Sequence, residues 1–387
     1  MQTAKRLNGI GEYYFSAKLR EIDQLNKAGK AVINLGIGSP DLPPHPEVIR
    51  VLQEASAQPE NHAYQGYKGI PQLRKAMADW YSRAYRVELD PETEVLPLIG
   101  SKEGIMHICM TYLNEGDLAL IPDPGYPTYS SAVKLAGGTP VPYELSEERN
   151  WQPNFEELEK QDLSRVRLMW VNYPHMPTGQ LPDQNFFVRL IEFGKKHNML
   201  ICHDNPYSFI LNENPVSLLA IPGAKDVVLE LNSLSKSHNM AGWRVGMLAG
   251  NPKRIQEVLT FKSNMDSGMF KPLQLAAAAA LNLGKEWHDE LNRQYRERQQ
   301  KVFGLMELLG CRYNIKQAGM FVWASIPDSY KDCYELSDAV LNEASVFITP
   351  GGIFGKGGNR YIRISLCSTP EKLEEARQRI ETRFTKR

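Results

Sequence analysis

Five stretches of this 387-residue chain place residues able to do chemistry just past an apolar run. After "VLPLIG" comes "SKEG", where Gly100, Ser101 and Lys102 open a helical pattern. Backbone N–H groups at a helix N-terminus, with the helix dipole behind them, suit a phosphate; Ser101 alone would equally be an ordinary helix cap. After "LALIP" comes "DPGYPTY", whose Tyr126 could lay a ring face against a planar ligand or simply pack in a proline-rich turn. After "MLICH" comes "DNPYSF", with Asp204 and Tyr207. A buried carboxylate there needs a cation, which a protonated pyridine nitrogen would supply; an exposed one would be a turn former. After "VVLELN" comes "SLSKSHNMAGWRVG". Its Ser233, Ser235 and Arg244 could hold a phosphate, the arginine through a two-pronged fork, leaving Lys236 free to form a Schiff base. The fifth stretch, "NYPHMPTG" at 172–179, crowds Asn172, His175, Met176 and Thr178 among two prolines and a glycine.

These residues need a scaffold that brings strand ends together, and the chain spells one out. From about 95 to 250, short apolar runs alternate with amphipathic helical patterns such as "PDQNFFVRLIEFGKKHN". That alternation predicts an α/β fold with a mostly parallel central sheet sandwiched by helices, where ligands bind outside the carboxyl ends of the strands. A helical stretch over 284–309 leads to "FVWASI" and "RYIRISL", read as strands, and to two further helices, a smaller α+β domain. The expected division is an N-terminal arm with part of the small domain at 1–44, a large domain at 45–285 and a small C-terminal domain at 286–387.

Composition narrows the partners. Lys+Arg and Asp+Glu are both 45, so no basic footprint for nucleic acid or an anionic membrane is present. The cysteines (Cys109, Cys202, Cys311, Cys333, Cys367) are scattered without metal-ligand spacing, and no metal is expected. The charged N-terminal stretch has no apolar core of a signal peptide, and "LQLAAAAALNL" at 273–283 falls short of the roughly 20 residues a membrane span needs. A cytoplasmic protein acting on small molecules is expected.

Phosphate anchors, an imine-forming lysine, an acid and an aromatic plate together make the set that pyridoxal 5′-phosphate requires. Along nearly its whole length the chain resembles the fold-type I, class I/II aminotransferase family. "INLGIGSPD", "YQGYKGIPQLRKA", "GSKEG", "DPGYPTY", "PTG", "DNPY", "SLSK", "TPGGIFG" and "YIRISL" fall in the family's order. Among its branches, the chain looks most like the LL-diaminopimelate and aspartate-type aminotransferases.

The resemblance implies that Lys236 carries the cofactor as a Schiff base and shuttles the substrate proton. Asp204 would pair with the ring nitrogen and Tyr207 donate to the phenolic oxygen, with Asn172 beside it. Ser101, Lys102, Ser233, Ser235 and Arg244 would hold the phosphate, and Tyr126 would stack on the ring. Tyr64 resembles a tyrosine that reaches the neighbouring subunit's phosphate, which implies a homodimer with shared sites. Arg363 would clamp the substrate α-carboxylate under the loop holding Gly38. The activity implied is amino transfer between an amino acid and a 2-oxo acid. A carbon–sulfur β-lyase or other amino-acid lyase on the same scaffold, and a non-catalytic binding protein, stay open as alternatives.

One position departs from the family's pattern. Where the family has asparagine before "PTG", Met176 stands, and methionine has no N–H to donate. Unless Asn172 or His175 replaces that donor, the imine proton is expected to be held more tightly, with its pKa raised.

Overall fold

A computed structural model describes residues 1–12 and 14–384; Tyr13 in the expected arm and residues 385–387 at the end of the expected small domain lie outside the described residues. The apolar runs become strands. Strand β1 (Ile33–Asn34) stands apart, whereas β2 (Val95–Leu98), β3 (Leu118–Asp123), β4 (Thr139–Glu144), β5 (Val166–Val171), β6 (Leu200–Asp204), β7 (Val228–Ser233) and β8 (Gly246–Gly250) make one seven-stranded sheet. Its order is β2-β8-β7-β6-β5-β3-β4, with β8 antiparallel to both neighbours and the remaining pairs parallel. The protein therefore has the α/β fold with a mostly parallel sheet.

Alternation along each strand splits the interior into two cores. In β5, Leu168 and Trp170 face one layer with Ile105, Ile108, Ala132 and Val258, while Met169 and Val171 face the other with Phe187 and Leu190. Helices cover both faces, as a parallel sheet requires. The helix Gln184–Lys196 shows how local sequence sets the boundaries. Asp183 accepts the Phe186 N–H at 2.7 Å as the N-cap, and Lys195 and Lys196 sit at the negative end of the dipole.

The strand runs read from sequence do not include 139–144, which carries Pro140 and Pro142. The structure puts β4 there, at the edge of the sheet and paired only with β3. An edge strand leaves half its backbone N–H groups unpaired, so it tolerates proline.

The helix Lys285–Leu308 ties the segment after β6 to the C-terminal part of the chain. Its Asn292 bonds the backbone of Phe209 and Leu211, and Arg298 bonds the carbonyl of Leu366 at 3.0 Å. Beyond it, β9 (Arg312–Tyr313), β10 (Phe321–Ser325), β12 (Thr349–Pro350) and β13 (Tyr361–Ser365) form an antiparallel sheet in the order β12-β13-β10-β9. Strand β11 (Val346–Phe347) pairs in parallel with β1, stitching the N-terminal segment to the C-terminal part of the chain.

Candidate active site

The carboxyl ends of β2, β3, β5, β6 and β7 meet at one edge of the large sheet, and the segments leaving them line a cavity of about 580 Å³. Of the residues singled out from sequence, it gathers Gly38, Ser101, Lys102, Tyr126, Asn172, Asp204, Tyr207, Ser233, Ser235, Lys236, Arg244 and Arg363, with Met176. Tyr64, His175 and Thr178 lie outside this lining, and Tyr64 is 93% exposed.

At one end lie the groups that could hold an anion. The helix Ser101–Tyr112 begins here, preceded by Gly100 at φ 84°. A Cβ at Gly100 would collide with the Arg244 guanidinium, so glycine is required both by the backbone and by the arginine crossing over it. Arg244 donates to the Ser235 hydroxyl at 3.3 Å and to the Ala241 carbonyl at 2.9 Å. Ser233 caps the short helix Leu234–Ser237, accepting the Ser235 N–H at 3.1 Å and donating to the Val245 carbonyl at 3.3 Å. Its hydroxyl thus shapes the turn that presents Ser235 and Lys236.

In the middle, Lys236 donates from Nζ to the Gly38 carbonyl at 2.6 Å. Burial lowers its pKa, which favours the neutral, nucleophilic amine. Asp204 lies buried at the end of β6. One carboxylate oxygen, Oδ2, accepts from the Tyr129 hydroxyl at 2.9 Å, and Oδ1 is buried without a hydrogen-bond partner among the described residues. Burial pushes this acid up from 3.8 to about 6. Tyr129 was not singled out from sequence, although its spacing of three from Tyr126 puts both on one turn at the start of the helix Pro127–Leu135. It stacks on Trp170 at 5.1 Å, which fixes its hydroxyl against Asp204.

At the other end, Arg363 is held from every side. It donates to the Gly36 carbonyl at 2.8 Å and to the Met176 sulfur at 3.5 Å. The rings of Phe321, Phe354 and Phe15 lie 3.8, 4.7 and 5.6 Å from its guanidinium carbon. The sequence missed this cage, yet the register held a signal. Trp323 pairs with Arg363 across β10 and β13, so Phe321, two residues on, shares the arginine's face.

The turn 172–179 answers which neighbour could replace the family's asparagine. The Asn172 side chain accepts the Met176 N–H at 2.8 Å and donates to the Asp204 carbonyl at 2.5 Å, at the cavity wall. His175 points away from the cavity, bonded to Thr178 at 2.8 Å, and burial pushes it down to about 3, leaving it neutral. Only Asn172 of the two borders the cavity.

An α/β sheet whose strand ends bring a buried lysine amine, a buried acid and an arginine into one cavity defines the class, an α/β enzyme. The family model described as aminotransferase class I and II matches residues 30–380, and the chain belongs to that family of amino-group-transferring enzymes. It is 40% identical over 377 residues to an LL-diaminopimelate aminotransferase of Dehalococcoides mccartyi, covering 97% of each chain. A protein of the same name from Aquifex aeolicus is 39% identical over 378 residues, with 97% of each chain covered. Among solved structures, substrate-bound BacF from Bacillus subtilis superposes with a TM-score of 0.94 at 38% identity, over 99% of this chain and 98% of that one. An aspartate aminotransferase variant from Thermus thermophilus shares the fold at a TM-score of 0.92 and 22% identity, over 99% of each chain. None of these names supports the lyase alternative.

Proposed function

We propose that the cavity holds pyridoxal 5′-phosphate and that Lys236 carries it during transfer of an amino group between an amino acid and a 2-oxo acid. The observation that carries this reading is Asp204. A buried carboxylate with a bare oxygen calls for a cationic partner, and no Lys or Arg among the described residues bonds it. A protonated ring nitrogen fits that need, and the cradle at Ser101, Lys102, Ser235 and Arg244 fits the phosphate at the opposite end of the same molecule. Pyridoxal phosphate supplies a carbonyl that accepts the amino group and a ring that draws electrons from the substrate Cα.

The chain's own residues do the rest. The Lys236 amine would hold the cofactor and would take and return the substrate Cα proton at Nζ. Asp204 would face the ring nitrogen, with Tyr129 holding the carboxylate in place. Tyr207 and Asn172 would be the candidates to face the phenolic oxygen, and Tyr126 would lie against the ring. Arg363 binds the α-carboxylate shared by amino acid and 2-oxo acid under the Gly38 loop. These geometries favour a productive pose by orientation more than by raw affinity. Borohydride treatment followed by peptide mapping tests the assignment: the label belongs on the Lys236 peptide and disappears in Lys236→Ala, whereas a label on another lysine would refute it.

The reading extends to assembly. Tyr64, Tyr67, Met265 and Phe270 are large exposed hydrophobic residues, and His62 touches Phe270 ring to ring at 5.7 Å, which makes one apolar surface. We read it as the face of a homodimer in which Tyr64 serves the partner's site. The domain division at 1–44, 45–285 and 286–387 belongs to the same reading, supported by the separate sheets and the helix Lys285–Leu308 between them. No helix of the described residues is long and apolar enough to cross a membrane, which accords with a cytoplasmic role in amino-acid biosynthesis.

A further inference from the structure

Behind the cavity lies a titratable pair that the site itself does not use. His203, one residue before Asp204 on β6, and Glu230 on β7 are register partners on neighbouring parallel strands. Both side chains are 0% exposed within the single chain, so no neighbouring subunit can reach them. Alternation along β6 turns the His203 ring away from the Tyr129 side, to the layer where Phe187 packs edge-on at 5.5 Å.

The hydrogen bonds around the pair count its protons. His203 Nε2 lies 3.0 Å from the Tyr173 carbonyl, which can only accept, so Nε2 carries a hydrogen. Glu230 accepts the Leu218 N–H at Oε2, 2.9 Å away, and the Ser217 hydroxyl at Oε1, 2.7 Å away. Ser217 itself accepts the Leu219 N–H at 3.1 Å, which leaves its own hydrogen for Glu230. The remaining contact, His203 Nδ1 to Glu230 Oε2 at 2.8 Å, therefore needs one further proton. Two donors already on the carboxylate favour its ionised form, which puts that proton on the ring. Tyr81 and Tyr85 of the helix Pro71–Tyr85 also face Glu230, and burial together with that charge raises both well above the ordinary range, keeping them neutral.

From this position the pair reaches the site twice. The Nε2–H holds the carbonyl of Tyr173, next to Asn172, whose own side chain donates to the Asp204 carbonyl, so the turn 172–179 is fastened to β6 by two bonds. Asp204 meanwhile answers to three influences: burial raises its pKa, and the Tyr129 hydrogen bond and the charge of His203 lower it.

We propose that His203 and Glu230 form a buried imidazolium–carboxylate pair and serve the active site as positioning residues, the ring fixing the turn that bears Asn172 and its charge favouring the carboxylate form of Asp204. The service to the site rests on the reading of Asp204 as the acid that faces the cofactor's ring nitrogen.

NMR of the holoenzyme, labelled with isotopic nitrogen in its eight histidines, reads the ring directly. At about pH 8 a free imidazole, with a pKa of about 6.5, is neutral. The signal that disappears in His203→Gln should there show both ring nitrogens protonated, and in Glu230→Gln it should become neutral. Holoenzyme kcat should fall about 10-fold in His203→Gln, with KM changed less than about 2-fold. In the cofactor-free chain, removing the positive charge should move the Asp204-dependent change in melting temperature up by about one pH unit, which loss of packing alone would not do. If no histidine of the parent is doubly protonated at about pH 8, the pair is overturned, whether or not the variants fold. An unmoved Asp204 transition or an unaltered kcat in His203→Gln overturns the positioning role. If the ring and melting signatures appear but no amino acid converts the bound cofactor, the amino-transfer reading falls and the pair stands.

Discussion

Asp204 is buried with one carboxylate oxygen, Oδ1, left without a hydrogen-bond partner among the described residues. Its pKa stands at about 6 rather than 3.8, so without cofactor the folded protein binds this proton more tightly than the unfolded chain. The associated stability is complete below about pH 4 and is lost as pH rises through about 6, a change on the order of 3 kcal/mol. Cofactor-free Asp204→Asn should therefore melt above the parent at about pH 8, with the difference vanishing near pH 4; parallel melting curves across that range would contradict the assignment. Tyr129→Phe removes the 2.9 Å bond to the same carboxylate, and the cofactor should dissociate roughly 10-fold more readily, as equilibrium dialysis would measure. At Met176 the thioether leans on Arg363 and donates to nothing. Met176→Asn should lower the pH midpoint of the holoenzyme's visible absorbance; an unmoved midpoint would mean that Asn172 already fills the donor's place. The sequence made the titrating and anion-binding groups legible because Lys236, Asp204 and Arg244 follow strand ends in recognisable order. It hid Tyr129, whose partner is 75 residues away and exists only once β3 and β6 lie in one sheet.

At the scale of elements, the segment 36–41 ties the site to the frame. Its Gly36 carbonyl receives Arg363, its Gly38 carbonyl receives Lys236, and Asp41 forms a two-pronged pair with Arg298 at 2.7 and 2.9 Å. Asp41→Asn should destabilise the protein by roughly 2 kcal/mol in denaturant titration and raise KM more than it lowers kcat, since the loop positions the groups that bind substrate. An unchanged denaturation midpoint would show the loop to be anchored elsewhere. Periodicity revealed the central strands and the helices that cover them, because those segments bury whole faces. It missed β4, an edge strand carrying two prolines, and the two-residue strands β1, β9, β11 and β12, too short to show a period.

For the whole molecule, the exposed aromatics Tyr64 and Phe270 mark the face proposed for the homodimer, in which Tyr64 would serve the partner's site. Phe270→Asp should yield monomers in sedimentation velocity and lose most activity together with dimerisation. A monomeric variant with full activity would separate the two. The resemblance pointed to Tyr64, but Met265 and Phe270 escape sequence reading because they come from a second, distant segment and look like ordinary surface residues. The central claim, amino transfer on a cofactor held by Lys236, is tested most directly by mixing the holoenzyme with each common L-amino acid in turn, without an acceptor. The account predicts one equivalent of 2-oxo acid per site and conversion of the bound cofactor to pyridoxamine 5′-phosphate, absent in Lys236→Ala. Continuous release of ammonia with the cofactor left in its aldehyde form would contradict it.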